Sequence, residues 1–225
     1  MQYLKVYESF LTEIEQSKIS RRIFLKIKRA IENDKIDYIS TDDSDYVNTS
    51  TGRKIQLNGI KFNLKQLDKN FDINILFTQT VTKNESAFFS YAKKMLVFPI
   101  LGNQNENEFE NNKRLVKIRF DLWIDEQLFT HEFTHYLDSL RYSKTYNFSS
   151  PKSKVEYANS PEELNAHYQE IISLLNKQKN KISKMSFNQF LKYSLNLFPK
   201  EYMMHLKEIN LKKLKNKLYR FYLNK

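Results

Sequence analysis

His131-Glu132-Phe133-Thr134-His135 is the most informative part of this chain. The pentapeptide lies in a segment, 125–141, whose apolar spacing predicts a helix. Residues four apart in a helix lie one turn apart on the same face, so the two imidazoles can bind one zinc ion. Glu132 is turned about 100° from His131, toward a water molecule on that ion, and can act as its general base. The alternative is a chance pair of histidines on an ordinary helix.

An open catalytic zinc site needs a third protein ligand, commonly Glu or His, from outside the pentapeptide. Residues 140–142 offer neither the glycine nor the histidine of a metzincin extension. The next predicted helix opens with Ser160-Pro161-Glu162-Glu163, where Glu163, or Glu162 in its place, can supply a carboxylate. A purely structural alternative exists, because Ser160 and Glu163 also match a capping box with Pro161 at the first helical position.

Two longer stretches extend this pattern: His131-Glu132-Phe133-Thr134-His135-Tyr136-Leu137-Asp138 and, on the second helix, Glu163-Leu164-Asn165-Ala166-His167. Together they resemble the gluzincin group of zinc metallopeptidases and, within it, the anthrax lethal factor-like peptidases. The resemblance covers residues 128–170. It implies an α+β, zincin-like fold in which a small mixed sheet packs on the HExxH helix. It also implies an endopeptidase that hydrolyses peptide bonds in a protein or peptide substrate.

The resemblance assigns the central roles residue by residue. One Zn²⁺ ion would be bound by His131, His135 and Glu163. Glu132 would be the general base, and Tyr157 would stabilise the oxyanion. Tyr157 is one of 14 tyrosines, so an ordinary packing role is its alternative.

Two further residues lie near the expected ligands. Asp138 falls on the face of the histidine pair, and His167 falls one turn beyond Glu163, so either could orient a metal ligand through a hydrogen bond. His167 stands where the group most often has Asp. Its role is therefore open.

The first part of the chain predicts helix and then sheet. Residues 1–34 carry apolar positions at helical spacing and are interpreted as a helical N-terminal extension to a domain spanning 35–225. Runs rich in β-branched and aromatic residues predict strands of one sheet at 36–39, 53–57, 71–77, 87–91 and 95–100. Three residues join the last two runs, which predicts a hairpin whose exposed edge could pair with an extended peptide.

The second part of the chain predicts mostly helix. A polar loop at 102–113 is expected to border the cleft and admit substrate. Helices are predicted at 125–141, 161–177, 186–198 and 199–222, with Ser160 and Ser186 as N-caps and a loop at 143–159. The segment from about residue 160 forms the expected helical C-terminal subdomain. Strands followed by helices favour an α+β fold.

Composition narrows the class of protein and partner. The chain has 37 basic and 26 acidic residues and a formal net charge of +11, but 29 of the basic residues are Lys and 8 are Arg. Nucleic-acid recognition usually recruits Arg, so a nucleic-acid partner is allowed but not favoured. The absence of cysteine excludes thiolate nucleophiles and Cys-type zinc sites. With no signal-peptide core and no apolar run of about 18 residues, we expect no membrane partner and a cytoplasmic location.

A second function stays open at this point. The alternative is a catalytically inactive zincin-like binding or structural protein from a phage or other mobile element, contacting nucleic acid through a basic surface. The opening Tyr-Glu-Ser-Phe-Leu-Thr-Glu suggests a phage origin, in which case the host cytoplasm or the virion would be the location. The substrate, the cleavage preference and the oligomeric state are not predicted.

Overall fold

In the part of the chain that the structure describes, a long helix is followed by a run of short strands and then by a series of helices. The computed structural model describes residues 13–41, 46–48, 54–79, 87–101, 109–142 and 153–224. Over these residues the fold is mixed α+β, with a small open sheet of five strands and a helical C-terminal part. No helix in the described part of the chain is long and apolar enough to cross a membrane.

The strands and the helices are each numbered in chain order. The strands are β1 (Ile39–Ser40), β2 (Tyr46–Asn48), β3 (Lys54–Gln56), β4 (Gly59–Asn63), β5 (Asn74–Thr78), β6 (Phe88–Ser90) and β7 (Met95–Phe98). The helices are α1 (Glu13–Glu32), α2 (Phe109–Trp123), α3 (Glu126–Tyr142), α4 (Lys154–Asn159), α5 (Pro161–Lys177), α6 (Lys179–Ile182), α7 (Phe187–Leu195), α8 (Lys200–His205) and α9 (Glu208–Leu223).

The five-stranded sheet has the order β1-β4-β5-β7-β6, with β5 and β7 parallel and the other pairs antiparallel. Strand β7 is apolar throughout because both of its faces are covered. Leu96 and Phe98 face the main core, while Met95 and Val97 join a small cluster on the opposite face. Strand β6 lies at the edge of this sheet, next to β7. The predicted hairpin of β6 and β7 is confirmed.

One hydrophobic core joins the sheet to helices α1 and α3. Ile23 and Ile27 of α1 are fully buried in it together with Phe129 and Phe133 of α3. The ring of Phe129 stacks on Phe98 of β7 at a centroid distance of 6.2 Å. The predicted boundary at residue 34 therefore separates elements that share a core, whereas residues 1–12 lie outside the described part.

Helix α5 connects this core to the C-terminal helices. Its Tyr168, Ile171 and Leu175 belong to a second apolar cluster with residues of α7 and α9. Toward α3, Ser173 donates a hydrogen bond of 2.7 Å to the buried carboxylate of Glu126. Helix α5 thus contacts α3 on one side and the C-terminal helices on the other.

Several predicted elements differ from the structure. Strands β2 and β4 were not predicted, and β3 pairs with β2 in a separate two-stranded sheet, so the expectation of a single sheet is wrong. Helix α2 occupies the end of the predicted loop 102–113, and α4 occupies the end of the predicted loop 143–159. Residues 102–108 and 143–152 lie outside the described part.

The predicted helix 199–222 is two helices, α8 and α9, with a break between them. The side chain of Asn159 at the end of α4 stabilises this break. Its Oδ1 accepts the backbone N–H of Lys207 at 2.7 Å, and its Nδ2 donates to the carbonyl of His205 at 2.8 Å. A side chain remote in sequence thus supplies the hydrogen bonds that a continuous helix would have made.

Candidate metal centre

Helix α3 carries the histidine pair in a buried position. Thr130 directly precedes His131, and Thr134 directly precedes His135. Their hydroxyls donate to the backbone carbonyls four residues earlier, at 2.6 and 2.7 Å. Polar side chains on this helix can therefore be buried without losing hydrogen bonds. His131, Glu132 and His135 are each less than 9% exposed.

The N-terminus of helix α5 brings a carboxylate to the two imidazoles. Ser160 is its N-cap and accepts the backbone N–H of Glu163 at 3.2 Å, with Pro161 at the start of the helix. Glu163 Oε2 lies 3.3 Å from His131 Nε2, and Glu163 Oε1 lies 3.4 Å from His135 Nε2. The cap and the ligand arrangement thus coexist, and Glu163 is the glutamate placed between the histidines.

These separations fit a bound metal ion. Ligand atoms about 2.0–2.1 Å from a tetrahedral zinc ion lie roughly 3.3 Å from one another. Glu163 Oε2 is buried, and His131 Nε2 lies 3.3 Å from it. Two imidazole nitrogens and a carboxylate are ligands that zinc accepts. The ligand atoms of His131, His135 and Glu163 all lie within 4.8 Å of one another.

Burial and charge set the protonation of the histidines. Burial alone would lower the pKa of His131, but the carboxylates of Glu163 and Glu170 on its two sides raise it to about 10. The pKa of His135 is lowered to about 4, mainly by burial; the Glu163 carboxylate opposes this shift, and the neighbouring His131 and His167 add to it. The same two imidazoles hold the pKa of Glu163 below its ordinary value despite burial.

Glu132 lies beside this group with a shifted pKa. Burial raises the pKa of its carboxyl to about 7, while the charge of His131 opposes the shift. The backbone N–H of Phe89 in strand β6 donates to the same carboxyl. The Glu132 side chain thus extends from helix α3 to the edge strand β6. Its pKa is suited to accepting and releasing a proton near neutral pH.

Two tyrosines approach Glu163 from other helices. Tyr157 of α4 lies against the Glu163 carboxylate and is 37% exposed; partial burial and then that carboxylate raise its pKa. Burial also raises the pKa of Tyr202 on α8, and its buried hydroxyl has no hydrogen-bond partner in the described part of the chain. Tyr157, His167 and Tyr202 line a cavity of about 330 Å³ that borders the group.

Asp138 and His167 have different partners around the candidate metal centre. Asp138 accepts hydrogen bonds from Gln16 Nε2 at 3.1 Å and from Asn165 Nδ2 at 2.8 and 3.1 Å, so it joins α1, α3 and α5. The ring of His167 lies 4.5 Å from that of His131. Its Nδ1 lies 3.2 Å from Glu170 Oε2.

Four residues of the surroundings were missed by the sequence analysis. Glu170 lies seven residues after Glu163 and three after His167, so helical spacing could have found it. Tyr91, whose hydroxyl is 3.4 Å from His135 Nδ1, follows strand β6, and Gln16 and Tyr202 come from α1 and α8. No local spacing connects these three residues to the histidines.

No family model matches the chain, and neither does any curated protein or solved structure in the comparisons made.

Proposed function

We propose that this protein is a zinc-dependent endopeptidase of the gluzincin type, with a zincin-like fold similar to that of the anthrax lethal factor-like peptidases. One observation carries the proposal. The Glu163 carboxylate lies between the Nε2 atoms of His131 and His135, at 3.3 and 3.4 Å, and all three side chains are largely buried. The buried Glu132 is the adjacent proton acceptor.

His131, His135 and Glu163 would hold the zinc ion. A zinc ion bound there supplies Lewis acidity, which polarises a carbonyl group and lowers the pKa of water. The three side chains are less than a fifth exposed, and their low-dielectric surroundings strengthen every charge interaction among them.

Glu132 and Tyr157 would handle the proton and the developing charge. Glu132, buried next to His131, can accept a proton from the attacking water and release it to the departing amine. The Tyr157 hydroxyl lies against Glu163 and can turn to donate a hydrogen bond to the carbonyl oxygen as negative charge develops on it.

Strand β6 offers a place for an extended peptide. It lies at the edge of the five-stranded sheet, and the N–H of Phe89 donates to Glu132, so this edge and the general base are neighbours. An exposed strand edge accepts a peptide through main-chain hydrogen bonds with little demand on sequence. A peptide bound along β6 would pass beside the proton acceptor and would pair with main-chain groups other than the Phe89 N–H, which Glu132 already accepts.

The test compares two variants on a peptide library. Glu132→Gln should retain zinc and lose about 10²–10⁴-fold in hydrolysis rate, the usual contribution of a general base. His135→Ala should lose the metal and with it the activity. Glu110→Gln, at an exposed glutamate of α2 paired with Lys113, is the matched control and should behave as wild type.

Two results would contradict the proposal. Unaltered hydrolysis by Glu132→Gln would remove this carboxylate from the mechanism. Salt-sensitive DNA binding by a wild-type protein that carries zinc but cleaves no peptide would favour the inactive binding protein.

A further inference from the structure

Glu170 on helix α5 contacts two histidines, although neither the motif nor the proposed reaction uses it. We propose that Glu170 is a positioning residue of the candidate metal centre, whose carboxylate holds the Nδ1 sides of His131 and His167 and so presents His131 Nε2 to the ion. This inference rests on the proposed zinc site.

Glu170 contacts the side of the His131 ring that faces away from Glu163. Glu170 Oε2 lies 3.2 Å from His167 Nδ1 and 3.5 Å from His131 Nδ1. His131 thus has one carboxylate on each ring nitrogen, Glu163 at Nε2 and Glu170 at Nδ1. All four side chains are less than a fifth exposed, so water competes weakly for these positions.

The direction of the hydrogen bonds follows from the imidazole itself. A neutral imidazole carries one N–H and one lone pair on its two nitrogens. A carboxylate at Nδ1 accepts that N–H and leaves the lone pair on Nε2, the nitrogen that faces Glu163. Glu170 would therefore fix both the tautomer and the ring orientation of His131.

His167 completes the arrangement from the same helix. Its ring packs between those of His131 and Tyr202, at centroid distances of 4.5 and 4.1 Å. The carboxylate that reaches His131 comes from Glu170, three residues after His167 on the same face of the helix.

A second metal ion is the main competing explanation. The ligand atoms of His131, His167 and Glu170 also lie within 4.8 Å of one another. A second ion there would require His131 to give up its Nδ1 proton and bridge two ions through both nitrogens. The number of ions per chain separates the two explanations.

The experiment measures zinc affinity and stoichiometry on the full chain, by competition with a chromophoric chelator. Glu170→Gln keeps the size of the side chain and removes its charge, and should weaken zinc binding about 10–100-fold with one ion per chain at saturation. Glu110→Gln, which makes the same change at an exposed glutamate of α2 paired with Lys113, is the control and should bind zinc as wild type does. Circular dichroism checks that both variants are folded.

A second measurement uses wild type alone and does not depend on a folded variant. The chain has four histidines, so a long-range proton–nitrogen spectrum of the zinc-loaded protein can be assigned. It should show protected Nδ1–H protons on His131 and His167. An unprotonated Nδ1 on His131, two ions per chain, or wild-type affinity in Glu170→Gln would each overturn the inference.

The outcomes separate this inference from the proposed function. Weakened zinc binding in Glu170→Gln, in a protein that cleaves no peptide, would keep the positioning role and refute the peptidase. Equal zinc affinity in Glu170→Gln and an active wild type would refute only the positioning role. A wild-type protein that binds no zinc would refute both.

Discussion

Replacing Asp138 by Ala should destabilise the protein by disconnecting the helices around the site. Asp138 is 2% exposed and accepts hydrogen bonds from Gln16 Nε2 and Asn165 Nδ2. A hydrogen bond to a charged group contributes about 1.5–3 kcal/mol, so losing two of them would cost about 3–6 kcal/mol. Because Gln16 Oε1 also accepts from Asn165, at 3.1 Å, the lower end of that range is expected.

Thermal unfolding followed by circular dichroism measures this effect. For a domain of this size, 1 kcal/mol corresponds to about 2–4 °C, so a loss of about 3 kcal/mol should lower the midpoint by roughly 6–12 °C. Asp121→Ala is the control, since it removes an exposed ion pair with Lys28 that should contribute at most about 1 kcal/mol. If Asp138→Ala unfolded at the same temperature as the control, Asp138 would not join these helices.

Three further results are expected. Lys26 and hydrogen bonds from Asn70 hold the pKa of Asp68 low although burial opposes them, so Asp68 stabilises the fold above its unfolded pKa of about 3.9. The stability difference between wild type and Asp68→Asn, measured by urea unfolding, should therefore vanish as the pH falls through the folded pKa; an equal difference at low pH would contradict this. Gly59→Ala would place Cβ 1.9 Å from the Phe77 carbonyl oxygen and should lower the urea midpoint by the equivalent of about 3 kcal/mol or more, and an unchanged midpoint would contradict that contact. Tyr157→Phe should lower kcat about 10²–10³-fold with unchanged zinc content, whereas wild-type kcat would exclude its hydroxyl from the reaction.

The longer helices were predictable because their signals are local. The HExxH helix and helix α5 combine apolar residues at helical spacing with a recognisable start, and the Ser160 cap is confirmed. Helix α2 has a weaker pattern, since it buries few residues along its length, and it was not predicted. Strand β4 begins at Gly59, a residue with low strand propensity, and it was missed although Ile60 and Phe62 alternate inward.

The site could be predicted only as far as one helix or one motif extends. Helical spacing brings His131 and His135 to one face, and the motif adds Glu163 from the next helix. The contribution of α1 depends on tertiary packing, because Gln16 reaches Asp138 across 122 residues of chain. No pattern within a window of sequence can reveal such a contact.

The metal content of purified wild type and of His135→Ala tests the central claim most directly. The account predicts one tightly bound zinc ion per wild-type chain, and loss of that ion in His135→Ala while the fold is retained. A wild-type protein that binds no metal even when zinc is supplied would contradict it, and would leave the HExxH sequence a coincidence on a buried helix.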